Sequence, residues 1–374
     1  MEHLWLRSEY KMFERRTPLT PKHARMLIKA GHIVTVEEST QRAFFIDEYR
    51  SAGCEIVPSG TWESAPHDAF ILGLKNLPES HQPLWHRHIY FAHSFKAQLH
   101  SKWLLRRFRK GGGILYDLEY LVNNQGKRVA AFGYYAGVAG AAIGLMIWVL
   151  KKQGYQAPYK IPYLYMNQNE MIKVIREQLD SLGVKPTVLI VGANGRSGQG
   201  ASYLVEQLGI EAVRWGRSDT QKKNLNQEML NFDVLLNCVF VDKDTPVFLT
   251  ADDLIKTQKR LAVISDISCE PDSKYNPLPF YTETTSFENA TQSLGEVDLI
   301  SIDNLPSYLP VDSSIHFSEQ LIAYLHGLLD GEVNDSVWSK ANETFREYSM
   351  NYIIENRMIA HYENSNTKKY YNYR

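Results

Sequence analysis

The chain has 374 residues, of which 44% are hydrophobic and 22% charged, a composition that folds into globular cores and a length that suits two domains of ~100–200 residues each. With 41 basic and 42 acidic side chains the formal net charge is −1, so nothing in it calls for a nucleic-acid backbone or an anionic membrane as partner. The three cysteines, Cys54, Cys238 and Cys269, lie far apart with no CxxC pair, which argues against a zinc site of cysteines and against a secreted disulfide framework.

The first residues, Met1 to Trp5, lack a basic stretch followed by an apolar one, so a cytoplasmic protein is expected. Trp5-Leu6-Arg7 fits a short strand. Thr20-Pro21 opens a helix, with Thr20 as N-cap and Pro21 at the first helical position, and Gly31 closes it. His32–Val36, Glu55–Val57, Phe70–Leu72 and His88–Ala92 are apolar runs bounded by Pro and Gly, and read as strands. Phe95–Arg109 has apolar residues at helical spacing and ends at three glycines. This βαβα order predicts a parallel sheet covered by helices.

Tyr134–Leu150 is nearly all apolar. It falls short of the ~20 residues that a bilayer demands and is rich in Gly and Ala, so a helix buried inside the protein is expected, with a membrane segment as the alternative. A loop from Gln156 to Asn169 reads as a hinge region. Glu170–Leu182 is a helix stopped by Gly183. A second βαβ series then begins, with strands expected at Thr187–Val191, Ala212–Trp215, Val234–Cys238, Leu261–Ser265 and Val297–Ile302. Helices follow at Phe317–Leu329 and Val337–Glu355.

The sharpest local signal is Val188-Leu-Ile-Val-Gly192-Ala-Asn-Gly195-Arg196-Ser197-Gly198, an apolar strand entering a Gly-rich turn and then a helix expected at Ala201–Leu208. Such a turn brings a dinucleotide pyrophosphate against a helix N-terminus. The spacing is GxxGxxG rather than GxGxxG, so a structural turn or another ligand such as S-adenosylmethionine stays open. An acid for the ribose is expected after the next strand. Gly216, Arg217 and Ser218 stand there instead, with Asp219 slightly later. Arg217 could meet the extra phosphate of NADP, or could be a surface arginine with Asp219 holding the ribose.

In the first half, polar residues cluster after strands and before helices: Arg15 and Arg16, Lys75, His93 with Lys96, and Arg128. Strand ends of an open α/β sheet share one edge, so these could converge into a site for carboxylates with an acid/base pair. The expected class is α/β, with two Rossmann-like doubly wound parallel-sheet domains and an interdomain active-site cleft. Residues 1–133 plus about 325–374 form the expected substrate domain, and about 134–324 the dinucleotide-binding domain.

At these segments the sequence resembles the lysine-forming, NAD-dependent saccharopine dehydrogenases, relatives of the alanine dehydrogenases. The resemblance runs from Arg7 to about Trp338 and rests on Glu14-x-Arg16-x-x-Leu19-Thr20-Pro21, Gly73-Leu74-Lys75, Phe91-Ala92-His93, Leu115-Tyr116-Asp117-Leu118-Glu119, Arg128-Val129-Ala130-Ala131-Phe132-Gly133, Gly195-Arg196 and Ile302-Asp303-x-Leu305-Pro306-Ser307. It implies Lys75 and His93 as the acid/base pair, and a substrate pocket lined by Arg16, Lys96, Gln98, Arg128 and Phe132, with Ser268, Cys269 and Glu270 reaching in from the cofactor domain. It implies cofactor contacts from Gly195, Arg196, Thr220, Phe240, Ile267, Ile302, Asp303, Asn304 and Leu305, beside Gly192, Gly198, Gly216 and Arg217 of the turn and the following strand. Four positions depart from the family: Gly216 replaces an Asp, Asn76 a Glu, Ser197 a Cys and Phe240 a Tyr. Without the cysteine at 197, no disulfide to Cys238 can form.

The implied reaction converts saccharopine, a nicotinamide dinucleotide and water to L-lysine and 2-oxoglutarate. A free lysine titrates near ~10.4, so Lys75 would need burial and cations such as Arg16 or Arg128 to act as a neutral base. NAD is the expected cofactor, with NADP possible because Gly216-Arg217 stands where an acid is expected. No metal is expected, and a monomer is expected with a dimer as the alternative. Two other readings stay open: an NADP-preferring reductase of a related amino-acid/oxo-acid pair, and a catalytically inactive nucleotide-binding homologue.

Overall fold

The computed structural model describes residues 1–92, 99–161, 165, 167–255, 259–333 and 336–350. The chain divides into two compact units, Met1–Ala131 with Ser314–Arg374, and Phe132–Ser313.

In unit 1 the elements are β1 (His3–Leu6), α1 (Pro21–Lys29), β2 (Ile33–Glu37), α2 (Ile46–Ala52), β3 (Glu55–Val57), β4 (Phe70–Leu72), β5 (Arg87–Tyr90), α3 (Leu99–Gly111) and β6 (Ile114–Asp117). The six strands pair in parallel in the order β3-β2-β1-β4-β5-β6. That is a doubly wound order, which sends every strand's carboxyl end to one edge and reverses direction at β1/β4. Residues pointing to both faces of β1, β2, β4 and β5 are buried, as expected where helices and loops cover both sides of a parallel sheet. The side chain of Thr20 accepts from the His23 amide and caps α1 as its sequence predicts. Helix α2, strand β6 and the start of β5 at Arg87 go beyond what the sequence pattern predicts.

Glu37, at the end of β2, is wholly buried. It accepts from the Trp5 indole (3.2 Å), the Ser8 amide (2.8 Å) and hydroxyl (3.0 Å), and the Gly60 (2.9 Å) and Trp62 (2.6 Å) amides. One carboxylate thereby ties β1, the segment after it, and the turn after β3. Replacing Glu37 with Ala strips several buried donors of their acceptor, and a loss of about 3 kcal/mol or more is expected. Urea unfolding should show a lower midpoint at an unchanged slope; a change under about 1 kcal/mol would contradict this role.

Unit 2 comprises α4 (Gly133–Lys152), α5 (Gln168–Leu182), β7 (Val188–Val191), α6 (Arg196–Gln207), β8 (Ala212–Trp215), α7 (Leu225–Met229), β9 (Val234–Asn237), α8 (Ala251–Leu254), β10 (Val263–Asp266), β11 (Gln292–Leu294) and β12 (Val297–Ile300). The sheet order is β11-β12-β10-β9-β7-β8, parallel except for the edge strand β11. Helix α4 is the apolar segment, and most of it is buried in the core of this unit. Its small residues allow close approach: a β-carbon on Gly137 would collide with the Ser197 carbonyl, and one on Gly200 of α6 with the Tyr134 carbonyl. Gly144 faces Leu236 and Ser265, and the Ser265 hydroxyl donates to the Gly140 carbonyl at 2.9 Å. The helix is apolar because it packs on a sheet.

Helix α9 (Pro310–Leu329) carries the chain back. The return falls at Ser314 rather than near 325, because Ser314 and Ser318 of this one continuous helix already serve unit 1. Ser314 accepts from the Thr17 amide (2.9 Å) and Ser318 from the Thr20 amide (3.2 Å). Beyond it, 337–350 is helical.

Candidate active site

In unit 1 the carboxyl edge of the sheet gathers the segments after β1, β4 and β6. Lys75 follows β4, and its backbone is held from both sides. The Glu9 carboxylate accepts from the Leu74 amide (2.7 Å) and the Lys75 amide (2.9 Å), while the Arg7 guanidinium donates to the Lys75 carbonyl. Arg7 also meets Glu9 at 3.3 Å. Glycine at 73 leaves room for the Arg7 guanidinium, which a β-carbon there would push aside. Burial pushes the Glu9 carboxyl up, with Arg7 and the two amides pulling it back. Lys75 therefore stands on a loop fixed by an internal acid and a buried arginine.

Glu14 and Arg16 form a buried two-pronged pair, Nε to Oε1 at 2.7 Å and Nη2 to Oε2 at 2.6 Å. Burial pushes Glu14 up, but Arg16 and Lys75 outweigh it and hold the carboxyl below its ordinary range. The charge that the structure gives beside Lys75 is thus an acid already matched to Arg16. Arg128 lies after β6 and pairs with Glu119 at 2.9 Å, both partly exposed. Asp117, buried at the end of β6, accepts from the Ala92 amide (3.3 Å) and the Glu119 amide (3.0 Å), tying β5's exit to the segment that carries Glu119. His93, Lys96 and Gln98 lie outside the described residues.

In unit 2 the expected cofactor residues fall at the carboxyl ends of β7, β8, β9, β10 and β12. The β7 turn is built by glycines: Gly192 has φ +78°, and a β-carbon on it would come to 2.7 Å from the Cys238 carbonyl. A β-carbon on Gly198 would collide with the turn itself at Gly192 and Ala193. Gly195 is different. Its φ of −74° is open to any residue, and the nearest atom to a β-carbon would be 3.4 Å away, so the fold does not demand glycine there. It is the N-cap of α6, where the first-turn amides lack acceptors within the helix and favour an anion. The turn is a cradle with room beside it, and it fits a dinucleotide pyrophosphate.

After β8, the Gly216 amide donates to Asp219 at 2.9 Å and keeps that carboxyl below its ordinary range, helped by Lys222. Arg217 reaches Asp242 and Asp244, each at 3.3 Å. Thr220 is buried and its hydroxyl donates to the Arg217 carbonyl at 2.8 Å. Phe240, in the segment after β9, is 85% exposed. After β10, Ile267 is buried against Gly140 of α4, and Ser268, Cys269 and Glu270 form a turn in which Cys269 has φ +49°. Asp266 sets that turn: it accepts from the Cys269 amide (3.3 Å), the Asn237 side chain (2.9 Å) and the Tyr281 hydroxyl. Burial holds the Asp266 carboxyl above its ordinary range. After β12, Ile302 and Leu305 are buried, Asn304 is partly exposed and Asp303 is exposed. Phe132 stands at the N-cap position of α4, without a side-chain capping bond. The three cysteines are free thiols.

Glu9, Glu37 and Asp266 position these loops, and sequence reasoning did not find them. Each sits at or just past the carboxyl end of a strand, which is the one signal that could have singled them out.

The chain matches the alanine dehydrogenase/PNT N-terminal domain over residues 5–139 and the C-terminal domain over residues 167–351. Saccharopine dehydrogenase [NAD(+), L-lysine-forming] of Schizosaccharomyces pombe is 40% identical over 361 residues, covering 92% of this chain and 97% of that protein. The protein of the same name from Candida albicans is 38% identical over 371 residues, covering 92% and 96%. Among solved structures, an L-alanine dehydrogenase superposes with a TM-score of 0.67 at 18% identity, covering 91% of this chain and 94% of that one, which shows a common fold. The chain belongs to the alanine dehydrogenase/PNT family and, within it, to the saccharopine dehydrogenases of the NAD(+), L-lysine-forming kind.

Proposed function

We propose that this chain is an oxidoreductase acting on a CH–NH group, which reversibly converts saccharopine, NAD and water to L-lysine and 2-oxoglutarate in the cytoplasm. The observation that carries the reading is the near full-length identity to enzymes of that name, 40% over 92% of the chain, together with a lysine locked at a strand's carboxyl end.

In the oxidative direction Lys75 takes the proton of the secondary amine. NAD, held by the β7 turn, would supply the hydride acceptor for the carbon that carries this nitrogen and a carboxylate. The resulting imine is hydrolysed, with His93 activating the water and passing its proton on. Arg16, Lys96 and Arg128 hold substrate carboxylates, supported by Gln98, Phe132, Ser268, Cys269 and Glu270, which fixes the reacting carbon in place. Gly192, Gly195, Arg196 and Gly198 hold the pyrophosphate. No metal enters this chemistry. The partners are small molecules, and the working form is a monomer.

Arg217 could in principle take a 2′-phosphate, but Asp242 and Asp244 already engage it and would repel that group. This favours NAD over NADP. Replacing both acids with Asn should raise kcat/KM for NADPH relative to NADH by about tenfold, a change worth ~1.4 kcal/mol; an unchanged ratio would contradict this source of selectivity.

The test of the reaction is a spectrophotometric assay with L-lysine, 2-oxoglutarate and NADH, with the product identified by mass. Saccharopine should form only when both organic substrates are present. NADH oxidation that needs the oxo acid but not lysine would mean direct reduction of the oxo acid and would contradict the reading.

A further inference from the structure

We propose that His32, His326 and Asp330 bind one divalent transition-metal ion of the zinc class, at a place remote from the loops described above. His32 stands at the turn from α1 into β2, and His326 and Asp330 stand at the C-terminal end of α9. The spacing of four residues puts His326 and Asp330 on one helix face, one turn apart. The carboxylate already lies between the two rings: Oδ1 is 3.2 Å from Nε2 of His32, and Oδ2 is 2.9 Å from Nδ1 of His326. The three ligand atoms all fall within 4.8 Å of one another. A tetrahedral ion with bonds of ~2.0–2.1 Å has ligand–ligand edges of roughly 3.3 Å, so with one carboxylate oxygen as ligand the three donors have to draw together from within 4.8 Å.

The surroundings suit this. His32 is buried, and the turn that carries it is fixed: Gly31 has φ +94°, and the His32 amide donates to the Leu27 carbonyl at 3.2 Å. His326 and Asp330 are 44% and 42% exposed, so they can adjust and leave a path for the ion. The end of a helix carries the negative pole of its dipole, which attracts a cation. Two imidazoles and one carboxylate are borderline donors that select zinc, cobalt, nickel or copper over magnesium or calcium. On binding, Nε2 of His32 ligates the metal and Nδ1 carries the ring proton. Among the described residues, the contact this displaces is the Glu2 amide, 3.4 Å from Nδ1 and at the long end of a hydrogen bond. A metal here joins residue 32 to residue 330 and fastens the returning helix to the first sheet.

The experiment uses tag-free, EDTA-treated full-length protein and cobalt(II) chloride alone as the probe. Visible d–d bands should rise and saturate at about one equivalent, since one site is proposed. Zinc chloride should abolish them and raise the melting temperature by several degrees. His326→Ala and Asp330→Ala should lose both responses while still binding NADH, which shows that each variant is folded. His81→Ala, at an exposed histidine elsewhere, should keep both. Absence of a saturable band in the unaltered protein, or its survival in both variants, overturns the proposal.

Discussion

Replacing Lys75 with Met should lower kcat at neutral pH by about 10²–10⁴-fold, the usual contribution of a positioned acid or base. The argument is geometric. The Lys75 backbone is fixed by the Glu9 carboxylate on two successive amides and by Arg7 on the carbonyl, so the side chain is delivered from a rigid base. Methionine keeps the stem and removes the titrating nitrogen, so folding and substrate binding should be little changed. The effect belongs in kcat and in the pH profile, where the limb that reports the base should vanish. A loss confined to KM would mean that Lys75 only binds a carboxylate.

The second large effect is at the β7 turn. Gly195→Leu should raise the NADH dissociation constant by about 100-fold or more, while the melting temperature moves by only a few degrees. Nothing in the fold demands glycine there, because φ is −74° and the nearest atom to an added β-carbon would be 3.4 Å away. The open side matters only if a ligand fills it. Gly198→Ala makes the contrast, since its β-carbon would strike the turn's own backbone and should cost stability as well as binding. Fluorescence titration with NADH and a thermal melt on each variant separate the two. Tight NADH binding by the Gly195 variant would show that the pyrophosphate lies elsewhere.

How much of this is legible in the sequence depends on burial. Strands β4, β7 and β9 are short apolar runs between turn residues, and their types are readable because parallel strands covered on both faces leave that trace. The α4 segment is readable as a buried helix from its length and its Gly/Ala content. Helix α2 is not, because seven residues with buried positions only at Tyr49 and Ala52 carry too little period to register. Strand β11 is a three-residue edge, Gln292-Ser293-Leu294, with its first two residues exposed, and has no apolar signature at all. Helix α6 begins at Arg196, ahead of the expected Ala201. Gly198 and Gly200 read as loop, although in the helix they serve contact with the turn and with α4.

The site divides in the same way. Lys75 and the β7 glycines announce themselves by standing at the ends of apolar strands. Glu9, Glu37 and Asp266 share that placement, but most acids are solvated and the sequence does not mark the few that are buried. Arg16 is expected to anchor substrate, and its tight pair with Glu14 becomes visible only in three dimensions. Gly216 and Arg217 leave the cofactor open, and the carboxylates of Asp242 and Asp244, distant in sequence, are what tilt the balance.

The most direct test of hydride transfer to a carbon–nitrogen bond is a reaction of L-lysine and 2-oxoglutarate with NADH deuterated at both C4 positions. One deuterium should appear in the product, on the glutarate carbon that bears the new secondary amine. Product without deuterium, or with deuterium on any other carbon, would contradict the account.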